Sequence, residues 1–193
     1  MTNGWNRPVR RSPRVDPESQ SAVRTAAEAR AEMPEATQIV IRRAGPEDAQ
    51  AIAEVLRQSF LEFKPLYTDG AFAATTPDAE QVLDRMREGP VWVALREGVP
   101  LGTVAATVKG ESVYIRGMGV LPTARGSGAG AALLKQIEEW AARKGYNRLF
   151  LSTTPFLASA IQLYERLGFQ RTDDGFHDLF GTPLFTMEKS LSR

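Results

Sequence analysis

The segment from Tyr114 to Trp140 constrains the fold more than any other part of this sequence. An apolar strand ends at Val120, a short link leads to the glycine-rich turn at residues 125–130 (RGSGAG), and an amphipathic helix follows. Glycines lack a Cβ atom, so the backbone N–H groups of such a turn can close on an anion. The start of the helix adds unpaired N–H donors and the positive end of its dipole. The segment therefore predicts a phosphate-binding site, to which Arg125 adds a full positive charge.

The composition excludes several other kinds of site. The 193 residues include no cysteine and a single histidine, His177, so thiol catalysis, disulfides and cysteine-rich or multi-histidine metal sites are excluded, and we predict no metal. The 24 Lys and Arg against 23 Asp and Glu give no reason to expect a nucleic-acid surface. No apolar run approaches the roughly 18 residues of a membrane span. Because the N-terminal arginines are not followed by an apolar stretch, we predict no signal peptide and a cytoplasmic protein.

The chain divides into two parts of different character. Residues 1–36 are rich in arginine, proline and alanine, which predicts a disordered basic arm, and residues 37–193 fit one domain. Hydrophobic periodicity in the second part predicts the order β-α-α-β-β-β-α-β-α-β-β. The strands before the glycine turn should form an antiparallel meander, and the unit around the turn a parallel crossover. The expected fold class is α/β, with a twisted mixed sheet of six to seven strands flanked by about four helices.

Local signals also predict element boundaries. Residues 65–74 are expected to form a loop, with Thr76 capping the second helix. Thr154 and the proline after it are expected to start the last helix. The two last strands are predicted at residues 169–172 and 184–189, as a hairpin across a long loop.

Two familiar phosphate sites do not fit the glycine turn. A phosphate-loop nucleotidase needs a lysine directly after the glycines, but the first lysine here is Lys135. A dinucleotide fold needs Gly-x-Gly-x-x-Gly/Ala, and residues 126–131 match those letters. However, Leu121–Arg125 separate the strand from the turn, and Leu149–Thr153 contain no acid that could bind a ribose.

A third interpretation accounts for more of the chain. Residues 120–130, with the pattern V-x-P-x-x-R-G-x-G-x-G, resemble the acetyl-CoA-binding motif of the GNAT N-acetyltransferase superfamily. Residues 160–169 (AIQLYERLGF) resemble a second segment of that family, A-x-x-L-Y-x-x-x-G-F. The predicted element order also matches. The resemblance covers residues 38–189, and it implies the GNAT fold for the domain at 37–193.

The resemblance implies acetyl-CoA as the acyl-donor cosubstrate. In the family, backbone amides of the turn bind the CoA pyrophosphate, and the end of the preceding strand splays from the next strand to pair with the pantetheine arm. The cofactor-binding residues carried over are Met118, Gly119, Val120, Arg125, Gly126, Ser127, Gly128, Ala129 and Gly130. Gly117 and Gly119 suit a β-bulge whose N–H could polarise the thioester carbonyl. Tyr164 matches the family tyrosine that can protonate the departing thiolate.

The acceptor implied by the resemblance is a primary amine, in a small molecule or a peptide, that attacks the thioester directly. Some members carry a glutamate base where this chain has Tyr114, a poor base near neutral pH. Glu111 lies three residues earlier, and Arg116 shares a strand face with Tyr114 and could hold a substrate carboxylate or phosphate. Leu157 stands where many members have an asparagine that helps to hold pantetheine.

The acceptor site should be built from the first two helices, their loop and the final hairpin. Its candidate residues are Phe60, Phe63, Tyr67, Asp69, Phe72, Phe176, His177, Asp178 and Phe180. Two other functions stay open at this point. The missing base favours a non-catalytic acyl-CoA-binding or regulatory module on the same fold, and the arginine-rich arm favours a nucleic-acid-associated protein. A homodimer also stays open.

Overall fold

The computed structural model describes residues 38–191, so the expected arm at 1–36 lies outside the described residues. Seven strands form one sheet in the order β1-β2-β3-β4-β5-β7-β6. The strands are β1 (Val40–Arg43), β2 (Val91–Arg96), β3 (Val99–Lys109), β4 (Ser112–Val120), β5 (Arg148–Thr153), β6 (Gln170–Leu179) and β7 (Thr182–Ser190). The α-helices are α1 (Ala49–Phe60), α2 (Asp69–Thr75), α3 (Ala79–Glu88), α4 (Ala129–Arg143) and α5 (Ala158–Arg166). Short 3₁₀ turns occupy Pro46–Asp48, Leu61–Leu66 and Pro122–Ala124.

The sheet is mixed, as the sequence predicts. Strands β1 to β4 pair antiparallel, β4 pairs with β5 in parallel across helix α4, and β7 pairs antiparallel with both β5 and β6. A parallel pair needs a crossover connection, and α4 is that connection. The crossover places the glycine turn after the 3₁₀ turn that follows β4, at the start of the helix.

Side chains alternate between two apolar clusters on the faces of the sheet. On β2, Trp92 and Ala94 pack in a cluster with residues of α4 and α5, whereas Val91 and Val93 pack in a cluster with residues of α1 and α3. The period of two in a strand puts successive side chains on opposite faces. The central parts of β2 and β3 are therefore buried on both faces, and β3 supports β4 from one side.

The segment predicted as a loop at 65–74 contains helix α2, which makes five α-helices in the described residues. Thr68 caps α2, since its hydroxyl oxygen accepts a hydrogen bond from the N–H of Ala71 at 3.3 Å. Thr76 ends α2 and does not cap the next helix. Asp78 caps α3 in a capping box, in which it exchanges hydrogen bonds with Gln81 at 2.9 and 3.0 Å. Asp78 lies directly before the first residue of α3, so its carboxylate reaches the N–H three residues on, whereas Thr76 lies two residues further back.

The ends of the last helix and of the last hairpin also differ from the prediction. Helix α5 begins at Ala158, about one turn after Thr154. Strands β6 and β7 extend the hairpin to a tight turn at Phe180 and Gly181, so the predicted long loop is strand. Most of β6 is exposed, and an edge strand without a buried face lacks the alternating pattern that predicts a strand.

The start of α1 carries a buried charge whose removal should destabilise the fold. The Asp48 carboxylate accepts two hydrogen bonds from the Arg42 guanidinium, at 2.7 and 2.8 Å, and one from the Gly45 N–H at 2.8 Å. The Asp48 side chain is 9% exposed and that of Arg42 is 43% exposed, so solvent weakens the ion pair more than the hydrogen bond from the Gly45 N–H. We expect Asp48→Ala to lower the free energy of unfolding by about 2 kcal/mol in urea denaturation.

The effect should depend on pH in a defined direction. The hydrogen bonds from Arg42 lower the pKa of Asp48 below its ordinary value. A group with a depressed folded-state pKa stabilises the fold above its unfolded pKa, roughly 4, and loses that contribution as the pH falls through its folded pKa. The difference between wild type and Asp48→Ala should therefore be constant at neutral pH and shrink below about pH 4. Asp84→Ala, at an exposed carboxylate on α3, should change stability by less than about 0.5 kcal/mol.

Candidate active site

Strands β4 and β5 separate where the family resemblance predicts a gap. Their pairing covers Ser112–Ile115 on β4 and Arg148–Leu151 on β5 and ends there, although β4 continues to Val120. The edge of β4 from residue 116 to residue 120 therefore has no strand partner on this side. The gap opens into a cavity of about 940 Å³, lined by the end of β4, the glycine turn and α5. Free backbone groups along a cavity wall can pair with an extended ligand.

A β-bulge lies at the start of this free edge. Arg116 pairs with Ala105 and Gly119 pairs with Thr103, so Gly117 and Met118 together face the single residue Val104. Gly117 has a φ of +55°, a left-handed conformation that glycine adopts without strain. Such a two-to-one bulge bends the strand and leaves an extra backbone group unpaired. The bulge predicted from Gly117 is therefore present, and it faces the cavity.

Two of the three glycines in the turn leave space for a ligand. Gly126 and Gly128 have φ values of +76° and +89°, and a Cβ atom added to either would meet nothing within 4 Å. Their N–H groups donate to no backbone carbonyl in residues 38–191. Gly128 also caps α4, whose first N–H groups have no partner within the helix. Open space, free donors and a helix start together suit the binding of an anion.

The other residues of the turn have structural tasks. A Cβ atom on Gly130 would lie 2.9 Å from Leu163 Cδ2, so the absence of a side chain there lets α4 pack closely against α5. The N–H groups of Arg125 and Ser127 donate within the turn, to Pro122 and Ala124, each at 3.4 Å. The free donors of the turn therefore come from its glycines and from the first residues of α4.

The guanidinium of Arg125 is less free to bind an anion than its position beside the glycine turn suggests. Its guanidinium forms an ion pair with Glu62, donates to the carbonyl of Ser59 at 3.0 Å and lies 5.7 Å from the ring centre of Phe63. The expected full positive charge at the turn is thus balanced by Glu62. These contacts tie the turn to the end of α1, which fixes the position of the free N–H groups.

Tyr164 lies in α5 with its hydroxyl directed toward the end of β4. The side chain is 7% exposed, and the hydroxyl donates to Met118 Sδ at 3.6 Å. Burial raises the pKa of Tyr164 well above its ordinary value, and the nearby Tyr67 and Tyr114 contribute to the shift. The hydroxyl is therefore protonated near neutral pH and can act as a donor inside the cavity.

Three of the predicted acceptor-side residues line the cavity, namely Phe60, Phe63 and Tyr67. Burial raises the pKa of Tyr67, and its ring packs against Phe156 at 4.9 Å. The others are not part of the cavity wall formed by the described residues: Asp69, Phe72, Phe176, His177, Asp178 and Phe180. His177 still reaches its edge, since Nε2 lies 3.2 Å from the hydroxyl of Ser152, which lines the cavity.

The positions where the chain departs from the family pattern also belong to this site. Tyr114 and Leu157 both line the cavity, and the Tyr114 ring packs against Phe150 at 5.1 Å. Glu111 lies in the turn before β4 and is exposed, outside the cavity wall in the described part of the chain. None of the described residues that line the cavity is Asp or Glu, so its wall offers no carboxylate near Tyr114.

Sequence analysis missed Arg85, which enters the cavity from α3. Its guanidinium donates to the carbonyl of Ala74 at 2.7 Å, and Nη1 lies 3.1 Å from the place that a Cβ atom on Gly117 would take. Burial lowers the pKa of Arg85, and the charge of Arg116 lowers it further. A signal was present, because Arg85 follows the buried Val82 by three residues and so falls on the inward face of α3.

Two further observations concern metals and membranes. Across residues 38–191, no three His, Asp or Glu side chains come together in a way that could hold a metal ion. No helix within the same range is both long enough and apolar enough to cross a membrane.

Comparison with known proteins identifies the family. Residues 50–169 match the model of the acetyltransferase (GNAT) family. The uncharacterized N-acetyltransferase YjgM of Escherichia coli K12 is 34% identical over 140 residues, which are 69% of this chain and 83% of that protein. The chain therefore belongs to the GNAT acetyltransferase family. This confirms the family, the fold class and the class of enzyme, an N-acetyltransferase, that the sequence predicts.

Two other similarities extend over parts of the chain. The N-acetylaspartate synthetase of Danio rerio is 33% identical over 110 residues, 56% of this chain and 39% of that protein. YncA of Salmonella typhimurium, solved with its cofactor acetyl-CoA, superposes with a TM-score of 0.65 at 24% identity, over 80% of this chain and 95% of that one. The structural similarity to YncA shows that the two proteins share a fold.

Proposed function

We propose that this protein transfers an acetyl group from acetyl-CoA to a primary amine. The observation that carries the proposal is the continuous wall formed by the free edge of β4, the bulge at Gly117 and the open glycine turn at the start of α4. An extended arm attached to a pyrophosphate would suit this wall, with the arm along β4 and the pyrophosphate at the turn. The acetyl-CoA bound by YncA, which has the same fold, supports that ligand.

The cosubstrate would be held mainly by backbone groups. Met118, Gly119 and Val120 offer the strand edge to the pantetheine arm, while Gly126, Ser127, Gly128, Ala129 and Gly130 surround the place for the pyrophosphate. Arg125 would hold the turn in position through Glu62 and the Ser59 carbonyl. Backbone donors need no reorganisation when the ligand binds, and this favours affinity.

Bound acetyl-CoA would supply a thioester for attack by the amine. In the balanced reaction the amine nitrogen forms an amide bond, the carbon–sulfur bond breaks, the amine loses one proton, and CoA leaves as the thiol. An N–H group that the bulge leaves without a strand partner would polarise the acyl oxygen. The protein forms no covalent bond with the acyl group in this scheme, which agrees with a chain that has no cysteine.

Tyr164 is the catalytic residue in this proposal. Its hydroxyl already donates to a sulfur atom, that of Met118, at the end of β4. Because a thiol has an ordinary pKa near 8.5 and that of Tyr164 is raised, full proton transfer to the thiolate would be uphill. Tyr164 would thus stabilise the departing thiolate by a hydrogen bond, and the proton that the amine releases completes the balance.

A thiol-release assay with a panel of amines tests the enzyme against a non-catalytic acyl-CoA-binding module. We expect acetyl-CoA-dependent thiol release that requires an amine from the panel of small amines, amino acids and peptides. Binding of acetyl-CoA without thiol release from any amine would favour the binding module.

The domain boundary at residue 37, the cytoplasmic location and the homodimer stay predictions.

A further inference from the structure

Two arginines meet at the acceptor end of the cavity with too few acids to balance them. Arg85 on α3 and Arg116 on β4 both line the cavity. Arg116 donates to Glu88 at 2.6 Å, whereas Arg85 has no carboxylate within 4 Å in residues 38–191. Glu88 is thus the single carboxylate in ion-pair range of either guanidinium within the described chain. One positive charge at this place has no counter-charge.

The donors of the two guanidinium groups are also incompletely used. Arg85 has five N–H donors, and its recorded hydrogen bond is the one to the Ala74 carbonyl. The Nε of Arg116 is buried and has no partner in the described part of the chain. Burial and the neighbouring Arg116 lower the pKa of Arg85 by more than Glu88 and Tyr114 raise it, so this place favours an added anion.

We propose that the amine acceptor carries a carboxylate close to its amine, as an amino acid does, and that Arg85 and Arg116 bind this carboxylate. This inference rests on the proposed acetyl transfer. The planar fork of an arginine matches the two oxygens of a carboxylate. Phe60 and Tyr67, also in the cavity wall, would contact the apolar part of the acceptor.

The distance from Arg85 to the bulge limits the shape of the acceptor. Arg85 Nη1 lies beside Gly117, and the bulge at Gly117 is where the proposal places the acyl group. The attacking nitrogen and the carboxylate must then be separated by only a few bonds, as in α- and β-amino acids. Because Glu88 already balances one of the two cations, the remaining charge suits a monoanionic carboxylate better than a dianionic phosphate.

Matched acceptors test the carboxylate in the wild-type protein. Phenylalanine, leucine and aspartate are compared with their α-carboxamides in the thiol-release assay. A carboxylate raises the pKa of a neighbouring ammonium group, so at any one pH the carboxamides hold more neutral amine. A preference for the acids therefore cannot arise from amine ionisation. We expect kcat/KM for at least one acid to exceed that of its carboxamide by about tenfold or more.

Variants of two arginines on the same helix test the binding residue. We expect Arg85→Gln to lower kcat/KM for the preferred acid about 100-fold, mainly by raising KM, and for its carboxamide less than about threefold. The matched control is Arg87→Gln, at an exposed arginine that pairs with Asp84 outside this cavity, and it should change neither value. Thermal midpoints and acetyl-CoA affinity establish that each variant is folded.

The outcomes separate this inference from the proposed function. Equal kcat/KM for acids and carboxamides would overturn the inference and leave acetyl transfer intact. The same holds if Arg85→Gln lowered kcat/KM equally for the acid and for its carboxamide. A higher kcat/KM for O-phosphoethanolamine than for β-alanine would overturn the inference and indicate that the two arginines bind a phosphate. If no amine of either class caused thiol release, the proposed function and this inference would both be wrong.

Discussion

Replacing Gly128 by aspartate is expected to weaken acetyl-CoA binding by about 100-fold or more. A Cβ atom at Gly128 meets nothing within 4 Å in the protein, so the new side chain enters the space that the pyrophosphate would occupy. At about 4 Å and an effective dielectric constant near 20, two like charges repel by about 4 kcal/mol, and each 1.4 kcal/mol is a tenfold loss of affinity. Calorimetric titration with acetyl-CoA measures the loss.

Two companion variants separate charge from backbone strain. Gly128→Ala adds the strain of a side chain at a φ of +89° without a charge, so we expect less than about a tenfold loss. Gly98→Asp introduces the same aspartate at a φ of +79°, also in open space, but in the turn between β2 and β3, away from the cavity. It should bind acetyl-CoA like the wild type. Equal affinities for wild type and Gly128→Asp would exclude the glycine turn as the pyrophosphate site.

Removing the Tyr164 hydroxyl is expected to lower kcat by about 100-fold or more while acetyl-CoA affinity changes less than about threefold. The phenyl ring of Tyr164→Phe keeps its packing against Phe169, whose ring centre is 5.9 Å away. The variant loses only the donor that would face the leaving thiolate, and a preorganised hydrogen-bond donor to a developing negative charge contributes about 10²- to 10³-fold. Steady-state thiol release and calorimetry measure the two quantities.

Tyr146→Phe is the matched control for this substitution. Tyr146 follows α4, packs against Trp140 at 5.7 Å and does not line the cavity formed by the described residues. Its kcat should equal that of the wild type. A kcat for Tyr164→Phe within about twofold of the wild-type value would assign the tyrosine to packing and leave the departing thiolate without a side-chain donor.

Elements with a buried face were predictable from the sequence, because burial imposes a period on the apolar residues. The stripes of α1, α3 and α4 and the alternation in β2 all follow from this rule. Helix α2 was not predicted because it is short, contains Gly70 and buries only Ala71. Strand β6 was predicted only as far as residue 172, and its remaining part to Leu179 was missed because most of its residues are exposed on both faces.

The site was predictable where its function depends on the backbone. Glycines at positive φ in the turn and the bulge at Gly117 mark special conformations that the sequence displays directly. Contacts between distant side chains were not predictable, since no local pattern encodes them. The pairing of Arg125 with Glu62 and the approach of Arg85 to Gly117 join residues 63 and 32 positions apart. The charge balance at both ends of the cavity therefore required the structure.

The most direct test of acetyl transfer is the mass of the acceptor after reaction. The purified protein is incubated with acetyl-CoA and each amine of the panel, and the product is measured by mass spectrometry beside the released thiol. We predict at least one amine that gains a single acetyl group in equal amount to the thiol released, with Tyr164→Phe forming the same product about 100-fold more slowly. Thiol release without an acetylated amine, or no product from any amine, would contradict the account.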